Sequence, residues 1–290
     1  MALALVTQVG YDHRDRLEDH YNLLSAWMES VDWYRDERVE TLIESRIPVH
    51  ARRVLELGCG NGRLIHRLAS RHKDKRFVAV DISGEMVRRA REKVDKLANV
   101  EILHGDWIQP LFGSSMRFDA IIVKNALHLI PDLEERLREL SVLSKTLVIV
   151  ETVSPNLDSN EFVRKVFSII DGNKIKQALF TKRSLMSSLK KSGWACLWEV
   201  RVEQYIDVEE WLRHKAETAT AHERATEYLR SVGTSSRKTD SRVRRSMRFN
   251  NYRDGVPGKM LRLQFIGQFE RREARRPSRT AQLRQASLDF

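Results

Sequence analysis

Ten residues constrain this chain more than any other stretch: Val54-Leu-Glu-Leu-Gly-Cys-Gly-Asn-Gly-Arg63. A short apolar run, Arg53–Leu57, ends at Gly58-x-Gly60-x-Gly62 and opens at once into helical periodicity through Leu64, Ile65, Leu68 and Ala69. Glycines let the backbone turn sharply and let a ligand approach main-chain atoms without interference from a Cβ. A strand that turns straight into a helix commits the chain to crossover topology, and the following residues repeat the pattern. Phe77–Val80 is a second run, ending at Asp81, and a helix from Ser83 carries Met86, Val87, Ala90 and Val94. Val100–Leu103, Phe118–Val123 and Thr146–Val150 are three further strands, with Leu133, Leu137, Leu140 and Leu143 marking a helix between the last two. Strands alternating with helices at this spacing predict an α/β fold with a doubly wound, mostly parallel sheet covered on both faces.

The flanks complete the plan. Residues 12–46 carry apolar positions three and four apart, among them Leu17, Tyr21, Leu24 and Trp27, and Pro48 closes that helical region. Past Glu151 come helices over 160–170 and 182–191, a stop at Gly193 and a strand over Trp194–Ile206. A helix then runs from Asp207 to about Arg230, with Asp207 as an acceptor cap and Glu210 three residues on. Met260–Phe269 alternates apolar and polar as a final strand, joined to its predecessor without a right-handed helical crossover of the usual size and so suited to an antiparallel edge pair. The expected divisions are an N-terminal helical cap (1–50), a main domain (51–270) with a helix and basic loop at about 207–258, and a disordered basic tail (271–290).

Composition narrows the function classes. The net charge is +11, but +9 of it lies in two stretches, Arg237–Arg248 and the residues from Arg271 onward. The remainder is nearly neutral, and such runs are ordinarily solvated loops or tails. The longest apolar runs are strand-sized, and no leader-like segment is visible, which gives an expectation of a cytoplasmic protein with no membrane partner. Two cysteines, Cys59 and Cys196, neither form a disulfide framework nor have metal-ligand spacing, so no metal is expected.

The turn acquires meaning from what surrounds it. A nicotinamide fingerprint needs its third glycine three residues after the second, where this chain has Arg63. Asp81 ends the second strand, 23 residues after Gly58, where an acceptor-only carboxylate can take both hydroxyl hydrogens of a ribose. Asp106 and Trp107 follow the third strand, an acid for an amino group beside an aromatic face for stacking. Lys124 and Asn125 follow the fourth. All fall at the edge where open parallel sheets bind ligands.

The segments VLELGCGNGRL, FVAVDIS, VEILHGDW and FDAIIVKNALHLIPD together resemble class I S-adenosylmethionine methyltransferases, in the small-molecule branch that includes ubiquinone-type and natural-product enzymes. The resemblance is close over about 50–155 and looser through Phe180–Trp194. It implies a Rossmann-like sheet of seven strands whose last strand is antiparallel and inserted between the fifth and sixth. It implies S-adenosyl-L-methionine as cofactor and S-adenosyl-L-homocysteine as product. Gly58, Cys59, Gly60 and Gly62 would line the methionine moiety, and Glu56 would meet its amino group. Asp81 and Ile82 would hold the ribose and flank the adenine, with Met86 nearby. Asp106 and Trp107 would read the adenine edge and face, Asn125 would offer its backbone carbonyl, and Tyr21 would help to hold the methionine carboxylate.

The acceptor side is less determined. His128, three residues after Asn125, is the candidate general base. The expected reaction is in-line methyl transfer to an O, N or C atom of a small organic molecule, for which the excess of arginine favours an anionic acceptor. The alternative is an RNA methyltransferase using the basic linker and tail. Against it, Lys124-Asn125-Ala126-Leu127 stands where base-gripping enzymes carry an Asn/Asp-Pro-Pro-aromatic segment. Aminopropyl transfer would need paired acids where Lys124 sits. The chain is expected as a monomer or homodimer.

Overall fold

The computed structural model describes residues 2–30, 35–111, 115–170, 179–216 and 218–272. At its centre five strands run parallel: β1 (Arg53–Leu57), β2 (Arg76–Asp81), β3 (Val100–His104), β4 (Ala120–Lys124) and β5 (Thr146–Ser154). The long strands β7 (Trp194–Asp207) and β8 (Lys259–Arg271) complete the order β3-β2-β1-β4-β5-β8-β7. β8 lies between β5 and β7 and is antiparallel to both. This is the expected doubly wound sheet with its reversed last strand inserted. One strand is additional: β6 (Phe180–Thr181), two residues that pair with Val153 and Ser154 at the extended end of β5.

Alternation along the strands builds the two apolar layers. Leu55, Leu57, Ile121, Val123, Leu147 and Ile149 point to one face and Val54, Phe77, Ala79, Ile122, Val148 and Val150 to the other. The first face packs α5 (Leu133–Leu143) and α7 (Lys182–Lys191), and the second packs α2 (Glu37–Glu44), α3 (Arg63–Arg71) and α4 (Gly84–Val94). Trp194 is buried where β7 begins, and its indole N–H donates to the Leu137 carbonyl of α5 at 2.9 Å. Asp119 ties β4 to β1 by accepting from the amides of Arg52 and Arg53 at 2.7 and 2.8 Å.

At the N-terminus, α1 (Ala2–Ser30) and α2 are separate helices, not one run over 12–46. Asp36 starts α2, its carboxylate accepting from the Arg38 amide at 3.0 Å as an N-cap. α1 is fastened across the carboxyl edge of the sheet. His13 Nε2 lies 3.1 Å from the Leu129 carbonyl, and Asn22 Oδ1 accepts from the Ser83 hydroxyl at 2.6 Å and the Glu85 amide at 3.1 Å. No helix among the described residues is long and apolar enough to cross a membrane.

Between β7 and β8 the structure departs from the sequence reading. The helix expected over 207–230 is two, α8 (Val208–Lys215) and α9 (Ala219–Thr234), broken where Ala216 turns extended and Thr218 caps the second helix by accepting from Ala221. The segment read as a basic loop contains a third helix, α10 (Lys238–Ser246). Local charge hid it, because its one-sided apolar contribution is only Val243, followed by Met247 and Phe249. These three join α6 (Leu157–Ile170), α8 and α9 in a separate apolar cluster. The expectation of a disordered tail falls, beyond Arg272, outside the described residues.

Replacing Trp194 by Phe removes the indole donor and shrinks the buried ring, while the Leu137 carbonyl keeps its bond within α5. The expected loss is about 1–3 kcal/mol, read as a lower urea midpoint with unchanged slope.

Candidate active site

The glycine turn is shaped by hydrogen bonds and by close approach. The amides of Gly58 and Cys59 both donate to the Val80 carbonyl, at 2.8 and 3.1 Å, which pins the turn to the end of β2. Gly58 has φ +70°, and a Cβ there would stand 2.7 Å from the Ala126 Cβ. Gly62 has φ +74°, and its Cβ would stand 2.8 Å from the Ala90 Cβ, so α3 can pack on α4 only with glycine at that corner.

Asp81 is the junction of this arrangement. Its Oδ2 accepts from the Gly60 amide at 2.7 Å and its Oδ1 from the Ser83 amide at 2.9 Å. Burial pushes its carboxyl above the usual carboxylate range, and the Ser83 and Gly60 amides oppose that rise. Each oxygen keeps further acceptor capacity after one such bond.

A single cavity of about 650 Å³ runs along the carboxyl edge of the sheet, a size within the range of small-molecule sites. Of the residues singled out by sequence, Tyr21, Glu56, Gly58, Cys59, Gly60, Asp81, Ile82, Met86, Asp106, Trp107, Asn125 and His128 all line it. Gly62 is the exception. It lies behind the turn against Ala90 and does not line the cavity. Trp107 and Asn125 both hold left-handed backbone, at φ +50° and +53°, and the Asn125 amide donates to the Val150 carbonyl at 2.7 Å.

Two buried polar atoms on the cavity wall have no hydrogen-bond partner among the described residues: Glu56 Oε2 and Trp107 Nε1. Glu56 is 2% exposed. Desolvation pushes its pKa up to about 8, with Asp81 and Glu40 adding to the rise and the Lys124 ammonium working against it. Burial also pushes the Cys59 thiol well above its ordinary range and the Lys124 ammonium below its own.

Sequence reasoning missed the partner of His128. The carboxylate of Glu151, fully buried at the end of β5's apolar run, lies with Oε1 3.0 Å from His128 Nδ1, while Oε2 accepts from the His128 amide at 3.3 Å. Both residues line the cavity. An acid closing the run Leu147-Val-Ile-Val-Glu151 was the available signal, since buried strands rarely end on an unpaired charge. Also missed was Glu40 of α2, 1% exposed, which accepts from Arg63 Nε at 2.7 Å and lies 3.7 Å from Arg67. No cluster of histidine, cysteine and acidic residues suited to a metal occurs among the described residues.

A glycine-rich turn, a strand-end carboxylate and an aromatic residue line one cavity at the carboxyl rim of a doubly wound sheet, the edge where such sheets bind ligands. Residues 49–220 match the methyltransferase domain family, so the chain belongs to that family, the S-adenosylmethionine-dependent methyltransferases. An uncharacterized methyltransferase of Mycobacterium tuberculosis is 34% identical over 128 residues, 43% of this chain and 63% of the relative. The chain therefore spans less than two thirds of the curated relatives it matches. The release factor glutamine methyltransferase of Escherichia coli is 36% identical over 91 residues, 30% of this chain and 32% of that one. In fold, the chain is similar to the YcgJ protein of Bacillus subtilis, with a TM-score of 0.68 at 18% identity over 82% of this chain and all of the other. A putative methyltransferase of Bacillus halodurans gives 0.66 at 18% identity, over 81% of this chain and 98% of that one.

Glu56 makes stability pH-dependent with a definite sign. Its folded pKa is raised, so the native state holds a proton that the unfolded chain has already lost, and stability falls as pH rises from the ordinary glutamate range toward about 8. In Glu56→Gln this loss is absent. The urea midpoint of the variant should gain on that of the parent steadily across the window, and parallel pH curves would contradict the assignment.

Proposed function

We propose that the protein transfers the methyl group of S-adenosylmethionine to a small organic acceptor, with His128 and Glu151 handling the acceptor's proton. The observation that carries this reading is one continuous cavity lined by both the Asp81–glycine assembly and the His128–Glu151 pair.

The residues fit the donor. Asp81 can accept from the two ribose hydroxyls while still holding the Gly60 amide. Gly58, Cys59 and Gly60 give main-chain access for the amino-acid arm, and Gly62 supports the turn from behind. The lone Oε2 of Glu56 suits an ammonium group, whose charge would bring that carboxyl back toward ionisation. Ile82, Met86 and Trp107 offer an apolar slot for the adenine, with Asp106 at its edge and the unpaired Trp107 Nε1 among the available donors, and the Asn125 carbonyl is assigned to the methionine amino group. Tyr21, on α1, is assigned to the carboxylate end.

When bound, the donor supplies a methyl group made electrophilic by its sulfonium. The chain's own task is placement and proton management. Holding two reactants in line is worth up to about 7–11 kcal/mol of barrier. Glu151 fixes the imidazole through Nδ1, and Nε2 has no hydrogen-bond partner among the described residues. The neutral tautomer with its proton on Nδ1 leaves Nε2 as the acceptor. Fastened by His13 and Asn22, α1 covers the rim and limits water.

Nothing among the described residues favours the RNA alternative. Arg237, Arg242 and Arg248 pair with Asp240, Asp158 and Glu203, and Arg244 donates to the Val232 carbonyl.

The reading is tested by incubating the protein with methyl-labelled donor and a fractionated metabolite extract alongside total RNA. Label is expected in a small organic product, and label confined to RNA would overturn the assignment. Asp81→Asn should weaken calorimetric binding of S-adenosylhomocysteine about tenfold or more, as expected when a charge-assisted pair of hydrogen bonds is lost. His128→Ala should keep that affinity and lower kcat by about 10²–10⁴-fold.

A further inference from the structure

The cavity does not stop at the donor end. Beyond Glu151 it continues past β5 into a chamber walled by Val163 and Phe167 of α6, Phe180 of β6, Trp211 of α8, and Met247 and Met260. The geometry points to this chamber as the seat of a flat aromatic acceptor whose ring hydroxyl is presented to His128, a substrate class that rests on the methyl-transfer reading above.

Three observations carry it. First, the strand directions bring the chamber to the same rim as the donor end. β7 ends and β8 begins at this edge, with Ile206 paired to Met260 and Leu263 paired to Val153. Second, the wall is aromatic and thioether in character. Phe167 meets Trp211 edge-on at 5.8 Å between centroids and 83° between planes, a geometry that leaves ring faces and edges for a further aromatic partner. Methionines adapt to ring edges in the same way. Third, the only acid of the pair at the chamber's inner end, Glu151, is fully buried and already bonded to His128 Nδ1 and to two amides, those of His128 and Thr152. An ammonium acceptor would share the cavity with Lys215 and Arg262, which also line it, and would find that carboxylate committed elsewhere. A phenol enters neutral and ionises only as the imidazole takes its proton. Met247 and Met260 lie outside the segment 49–220 that matches the family.

The phenolic O–H bond breaks, the proton goes to His128 Nε2, and the oxygen's electron pair forms the new O–CH₃ bond. The S–CH₃ bond breaks with its pair passing to sulfur. The products are an aryl methyl ether and S-adenosylhomocysteine, and the imidazolium returns one proton to solvent.

The test is equilibrium binding of 2-naphthol to the full chain loaded with S-adenosylhomocysteine, followed by the fluorescence of the probe and compared with cyclohexanol by displacement. Val163→Phe fills the chamber from α6, and Val163→Ala keeps it open. The parent and Val163→Ala should bind 2-naphthol and prefer it to cyclohexanol. Val163→Phe should bind it about tenfold more weakly with S-adenosylhomocysteine affinity unchanged. Equal 2-naphthol binding by parent and Val163→Phe, or cyclohexanol binding as tight as 2-naphthol, overturns the proposal. Binding of S-adenosylhomocysteine by the parent with no binding of 2-naphthol overturns it alone. Failure of the parent to bind S-adenosylhomocysteine removes the donor reading beneath it.

Discussion

A carboxylate at the end of one strand holding the amide of a turn at the end of the next is the constraint on which this structure depends. Asp81 grips Gly60 at 2.7 Å, and the amides of Gly58 and Cys59 grip the Val80 carbonyl just before it. The turn is thereby locked in backbone conformations with positive φ at Gly58, Gly60 and Gly62. Because the parallel register places Leu57 beside Val80 and Val123, the loops that follow these strands meet at one rim. Every proposed donor contact is set by that meeting point.

Charge gathered between α2 and α3 is the second organising element. Glu40 and Glu44 of α2 gather Arg63, Arg67, Arg71 and His72 of α3 and its end, at 2.7 to 3.7 Å. A buried pair of this kind adds little net stability against an apolar replacement, but losing one partner is costly because the other is left uncompensated. Its consequence here is positional: the helix that opens from the glycine turn is clamped to the N-terminal region. Glu56, buried on the cavity wall, keeps an oxygen unpaired among the described residues, the kind of group that calls for a partner.

Much of this was legible in the sequence, for a physical reason. Strand runs ending in Gly58, Asp81 and Asp106–Trp107 are local patterns, and parallel topology brings strand ends together without further information. The insertion of β8 between β5 and β7 followed from the family resemblance. What escaped was non-local or masked. The pairing of His128 with Glu151 depends on the side-by-side register of β4 and β5, which places residues 23 positions apart in contact. α10 escaped because arginines dominate its composition while a few apolar residues, Val243 foremost, decide its packing. Gly62 was read as a lining residue because the turn motif carries three glycines, yet its closeness to Ala90 gives it a packing task. The break between α8 and α9 depends on a local cap at Thr218 that a long apolar periodicity concealed.

The most direct measurement is a crystal structure of the protein soaked with S-adenosylhomocysteine. The account predicts the nucleoside along the carboxyl rim, both ribose hydroxyls within hydrogen-bonding distance of the Asp81 carboxylate and the amino-acid arm over Gly58–Gly60. A nucleoside seated elsewhere, or a rim that stays empty in saturated crystals, would contradict it.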